Sequence, residues 1–170
     1  MRNSASSRAL RGTLLRSSLW LLLGGWVGSW LFFAMVIART AFQVLPSTEL
    51  AGRVVAPALT ALHVYGALAG VAVAGLARGL RRSRLLLWLP LVLAALCAYS
   101  QLSITAEMEA LRPRVWGPGG DELAAARYRL LHGRSMLVFS AVCLGAVSLV
   151  FMHARADASD AIQGELRQKS

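Results

Sequence analysis

Four apolar runs, residues 19–38, 54–77, 85–105 and 136–152, set the pattern of the chain, and most polar residues lie between and beyond them. Each run approaches or reaches the roughly 20 residues with which a helix crosses a hydrocarbon core. The pattern predicts an all-α fold, a four-transmembrane-helix antiparallel bundle with residues 17–155 as its membrane domain. Residues 1–16, rich in Arg and Ser, read as a disordered or interfacial basic tail, and residues 156–170 as a cytoplasmic tail. The first run follows Arg2, Arg8, Arg11 and Arg16 as the core of a signal peptide would. At about 20 residues it exceeds the ~7–15 of such a core, and three more runs follow, so it reads as an uncleaved first helix.

Small residues and breakers refine the elements. Gly24 and Gly28 in GGWVG, then Gly66 and Gly70, form small-xxx-small steps that let a second backbone approach. Such faces also suit a homo-oligomer. Trp20, Trp26 and Trp30 read as anchors at the headgroups. Pro46 predicts a turn with a helix cap at Ser47 or Thr48, Pro57 and Pro90 predict bends, and Ser83 is placed to cap the third helix after the basic turn RGLRRSR. RPRVWGPGGDE is the clearest break, with Asp121 capping the fourth helix. From Asp121 to His153 the chain carries 33 residues without a strong breaker. At ~1.5 Å each they make a helix of roughly 50 Å, longer than a core about 30 Å thick. The third helix also continues past its apolar run to Arg112. Helices 3 and 4 are therefore expected to extend beyond the membrane as a helical hairpin.

Composition supports this reading. Of 170 residues 56% are hydrophobic and 15% charged, against about a quarter charged in soluble domains. A net charge of +10 raises the question of nucleic acid. The basic residues sit beside the apolar runs, however, with no zinc-finger spacing and no aromatic interleaving, so the expected partner is the lipid bilayer and no nucleic acid. Eleven Arg and Lys fall in the two tails and the 78–84 turn, and seven in the other two connections. The positive-inside rule then puts both termini in the cytoplasm. Of the basic residues only Lys169 is lysine, which suggests a GC-rich bacterial genome, and the expected location is a bacterial inner membrane, as a multi-pass protein.

Candidate chemistry gathers in AYSQLSITAEMEALR, residues 98–112. Ser100, Gln101, Ser103 and Thr105 occupy the last turns of the third run, and Glu107 and Glu109 come next. Gln101, Thr105 and Met108 share a helix face. Arg39, at the end of the first run, is the expected ion-pair partner of Glu107 or Glu109, because charges at membrane depth turn inward and pair. Arg39, His63, Gln101, Thr105, Glu107, Glu109 and His132 form one expected polar cluster at the non-cytoplasmic end. As a clamp it contributes about 0.6 kcal/mol per interhelical hydrogen bond; as a vestibule it receives a polar solute or proton. Histidines on facing helices also suit haem or a transition metal. Cys97 and Cys143 lie at matching depths of roughly 12–14 Å. Their ordinary role is that of small buried hydrophobes; the alternative is a soft ion such as Cu(I), with Met108 and Met136 as stages of a path.

SWLFFAMVIARTAFQVLPSTELAGRVV, YSQLSITAEMEALR and RYRLLHGRSMLVFS, in this order and spacing, resemble the bacterial membrane proteins grouped as domain of unknown function 4149, which are similar to eukaryotic transmembrane protein 205. The resemblance runs over most of residues 18–152 and implies a four-helix membrane domain; the family carries no settled activity. No nucleophile with its base, phosphate loop, HExxH or CxxC is present in the sequence. The expected function is non-enzymatic, the binding or passage of a small solute or ion through the bundle, with no cofactor. The alternatives are a haem- or copper-linked membrane redox protein and a structural subunit of a membrane complex.

Overall fold

A computed structural model describes residues 2–169, as helices joined by three short turns, with no strand among the described residues. Four rods result. The first is α1 (Arg2–Phe32), a π-helical stretch (Phe33–Ala38) and α2 (Arg39–Val44). The second is α3 (Thr48–Gly79). The third is α4 (Arg84–Tyr99), a second π-helical stretch (Ser100–Thr105) and α5 (Ala106–Trp116), and the fourth is α6 (Glu122–Lys169). All four contain a helix long and apolar enough to cross a membrane, and each expected apolar run lies inside one of them. With 48 residues, α6 is about 72 Å long. Residues 2–16 are helical backbone continuous with the first rod, since Ala, Leu and Arg extend a nucleated helix at little free-energy cost.

The turns obey local chemistry. Ser47, in extended conformation, accepts a hydrogen bond from the Leu50 amide at 3.2 Å, the expected cap after Pro46. Asp121 accepts one from the Ala124 amide at 3.0 Å and pairs with Arg114. The Ala124 amide, and next the Arg114 guanidinium, hold the Asp121 carboxyl below the usual carboxylate range. Ser83 does not cap with its side chain. Instead the turn is closed by backbone bonds, Arg81 N–H to the Arg78 carbonyl at 3.1 Å and Arg82 N–H to that of Ala77 at 2.9 Å, with Arg81 in the left-handed region at φ 54°. That geometry turns the next side chain, Arg82, inward.

The first rod packs on the second and fourth, and the third also packs on both. Leu19, Leu23, Trp26, Trp30, Val73 and Leu149 are fully buried at the centre. Trp26 and Trp30 are thus core residues and not headgroup anchors. Their indoles fill space that glycines leave: a Cβ on Gly66 would lie 3.2 Å from Trp26 Nε1 and 2.9 Å from Cys97 Sγ. On Gly70 it would lie 2.6 Å from the Pro90 carbonyl oxygen. The small-xxx-small step is used here for close packing, as expected. At Gly24 and Gly28 a Cβ would meet no atom within 4 Å, so that step makes no close packing within this chain. The outer surface is apolar, with Leu21, Leu68, Leu102, Leu144 and Phe151 largely exposed.

Candidate functional site

At the end of the molecule that carries the 45–47 and 117–121 turns, the four rods part around a cavity of about 660 Å³. Both π-helical stretches border it, the first through Phe33, Ala34 and Ala38 and the second through Thr105. A π-helical turn holds more backbone than an α-turn and recurs at functional sites. The floor is aromatic. Trp30 stacks on Phe139 with ring centroids 4.6 Å apart, Phe33 lies 5.8 Å from Phe139, and His63 meets the Trp30 ring edge-on at 5.5 Å. The upper wall is a second aromatic group: Trp116 stands edge-on to Tyr128 at 4.8 Å, and the Arg112 guanidinium lies 5.7 Å from the Trp116 ring centre.

The remaining lining is apolar with a cationic excess. Arg39, Arg112 and Arg129 line the cavity against one carboxylate, that of Glu109. Glu109 is bound to Arg112 through Nε at 3.0 Å and Nη2 at 2.7 Å. The third nitrogen, Nη1, is buried without a hydrogen-bond partner. Neither Arg39 nor Arg129 has an ion pair among the described residues. Thr105, His132 and Ser135 add polar groups, and Met108 and Met136 add soft apolar wall.

Four members of the expected polar cluster, Arg39, Thr105, Glu109 and His132, therefore share this cavity. Gln101 lines a smaller adjoining one of about 380 Å³, which shares Thr105, Glu109 and Arg112 with the first. His63 lies beneath the floor, fully buried, its Nδ1–H donating to the Leu59 carbonyl at 3.0 Å. Glu107 faces α6, where Arg127 donates to it at 2.6 and 3.1 Å. The expected pairing of Arg39 with Glu107 or Glu109 is thus replaced. Both carboxylates have arginines nearer along or across the third and fourth rods, and a partner three residues away on one helix is reached with little loss of freedom.

The thiols are free, Cys97 buried with its sulfur toward Gly66 and Cys143 partly buried against the core. Among the described residues no three or more His, Cys, Asp or Glu side chains are grouped so as to hold a metal ion.

A polar cluster that sequence reasoning missed occupies the opposite end. Asp157 on α6 accepts from Trp20 Nε1 at 3.0 Å, pairs with Arg82 and lies 3.6 Å from Arg16. Asp160, one turn on, takes Arg16 at 3.1 Å and Arg82 at 2.8 Å. His153, one turn before Asp157, is fully buried. The available signal was the i, i+3 spacing of Asp157 and Asp160 just beyond the last apolar run, opposite a turn with four arginines. Compared with models of protein families, with curated proteins and with solved structures, the chain matches none.

Proposed function

We propose that this chain is an integral membrane protein that binds a small molecule in the vestibule at one end of its helices and does not conduct it across. The observation that carries this reading is the shape of the site: a cavity of about 660 Å³, within the roughly 300–1,000 Å³ of small-molecule pockets, that is blind. Below Trp30 and Phe139 the centre is filled, among the described residues, by Leu19, Leu23, Trp26, Val73 and Leu149, none of them exposed, which supports a closed floor. The apolar outer surface and four helices of spanning length support insertion in lipid. In this reading the helices run antiparallel, the third and fourth project beyond the core as a hairpin, and the vestibule opens on the non-cytoplasmic side of a bacterial inner membrane. The order and spacing of the SWLFFAMVIARTAFQVLPSTELAGRVV, YSQLSITAEMEALR and RYRLLHGRSMLVFS segments support placement with the domain of unknown function 4149 proteins.

The test is ligand-dependent thermal stabilisation of the purified protein in detergent or nanodiscs. A ligand at about 100 times its Kd stabilises by about 2.7 kcal/mol. Ala125→Phe, which projects a ring from the cavity wall into the vestibule, is expected to remove that stabilisation and leave the unliganded protein folded. Stabilisation that survives Ala125→Phe, or facilitated solute flux through the protein in proteoliposomes, refutes a blind binding site.

A further inference from the structure

The vestibule also has a polarity that specifies its ligand. Counting along α6, Arg129 lies ten residues above the floor residue Phe139, a rise of about 15 Å. Arg112 stands seven residues beyond Thr105 on the third rod, about 10 Å higher. The cavity thus runs from an aromatic and aliphatic floor of Phe33, Leu59 and Phe139 to a rim with three guanidinium groups.

Those cations are incompletely neutralised. Glu109 occupies two nitrogens of Arg112, while Nη1 is buried and has no partner. A buried unpaired N–H on a charged group is costly unless something accepts its proton. Gly52, which also lines the cavity, lies beside this nitrogen, where a Cβ would make ordinary contact at 3.8 Å. Arg39 and Arg129, on the first and fourth rods, bring positive charge to the same cavity with no carboxylate partner among the described residues. The Arg112 head lies over Trp116 at 5.7 Å, and Tyr128 stands edge-on to that ring.

We infer, building on the reading of the vestibule as a binding site, that its ligand is a single-chain amphiphile with an anionic head, a carboxylate or a phosphate monoester. Its head lies among the guanidinium groups of Arg39, Arg112 and Arg129, and its chain descends onto Phe33, Leu59 and Phe139. An uncharged polar solute leaves the aromatic floor without a partner, and a cationic amphiphile meets a rim of its own sign. An anionic head with an apolar chain satisfies both ends.

The experiment measures binding to the full-length protein in phosphatidylcholine nanodiscs by native mass spectrometry, with three probes of one chain length: hexadecanoate, hexadecyl phosphate and hexadecanol. The two anions are expected to bind one per chain, in competition, at least about tenfold more tightly than the alcohol, the factor a charge-assisted hydrogen bond supplies. Tighter binding of hexadecanoate assigns a free fatty acid as the source, and tighter binding of the phosphate assigns a membrane-derived lipid phosphate monoester of the lysophosphatidate type. Arg112→Gln is expected to bring the anions to the alcohol's affinity without changing the alcohol's own. Arg129→Gln, on an exposed side chain that leaves the Arg112 and Glu109 pair intact, weakens the anions alone and keeps the test open if Arg112→Gln misfolds. Equal binding of alcohol and anions, or anion binding indifferent to both substitutions, overturns the inference and leaves the vestibule reading standing. Failure of all three probes to bind overturns the chain-bearing ligand, and retained Ala125→Phe-sensitive stabilisation by some other compound would show that the vestibule itself still binds.

Discussion

Asp157 joins two distant parts of the chain, since Arg16 and Trp20 come from the first rod and Arg82 from the turn after the second. The Arg82 side chain is 4% exposed and that of Asp157 22%, whereas Asp160 is 44% exposed. Burial decides the weight of each contact: either variant leaves Arg82 one aspartate, but Asp157 is the less exposed carboxylate and also holds the Trp20 indole. Asp157→Asn is expected to destabilise by about 2 kcal/mol, and Asp160→Asn by under about 1 kcal/mol, read as thermal unfolding in one detergent. Equal effects would mean that the two aspartates act as one diffuse surface network. Asp121 gives a pH dependence whose sign is fixed by its environment. Its pKa is lowered in the folded protein by the Ala124 amide and Arg114, so its contribution is present at neutral pH and is lost as pH falls through that lowered value. Hydrogen exchange should show protection of the Ala124 amide declining in acid. In Asp121→Asn, which keeps a capping oxygen but does not titrate, that decline is expected to disappear.

Among the helices, glycine has two different roles that look alike in sequence. Gly70 sits where α3 meets α4 so closely that a methyl group would lie 2.6 Å from the Pro90 carbonyl oxygen. The obstacle is backbone, which does not move aside as a side-chain tip does. Gly70→Ala is expected to cost roughly 1–3 kcal/mol. Gly24, with nothing within 4 Å, should tolerate alanine without loss and gain up to about 1 kcal/mol in helix propensity. Melting temperatures of the two variants test the contrast, and a destabilised Gly24→Ala would point to a contact made by another chain. The π-helical stretches had no signal of their own. FAMVIA and SQLSIT read as ordinary helix, and residues of both stretches border the cavity.

The molecule as a unit has two unlike ends, the ionic knot of Asp157 and the cationic vestibule of Arg112, separated by a packed apolar middle. If the basic asymmetry sets orientation, a reporter fused after Ser170 gives a cytoplasmic signal and one inserted within Gly117 to Gly120 a periplasmic one. The reverse pattern would place the vestibule on the cytoplasmic side and require a cytoplasmic source for its ligand.

The features legible in the chain alone were those that depend on neighbours in sequence. Apolar runs of spanning length, caps at Ser47 and Asp121, and the break at RPRVWGPGGDE are local, because a helix forms and ends by bonds between residues a few positions apart. The close approach at Gly66 and Gly70 was legible as well, since a missing side chain on an apolar helix has few other uses. Partner choice was not. Arg39, Glu107 and Glu109 were rightly seen as near one end of the molecule, but which arginine meets which carboxylate depends on the rotation of each rod about its axis. The same rotation turned Trp26 and Trp30 inward, left Gly24 and Gly28 without close neighbours, sank His63 beneath the cavity and joined Asp157 to Arg82. A rotation of about 100° per residue carries a side chain from core to surface within one or two positions. Only the packing of all four rods selects that angle, so the chemistry of the site was decided by tertiary structure even where every element that builds it was written in the chain.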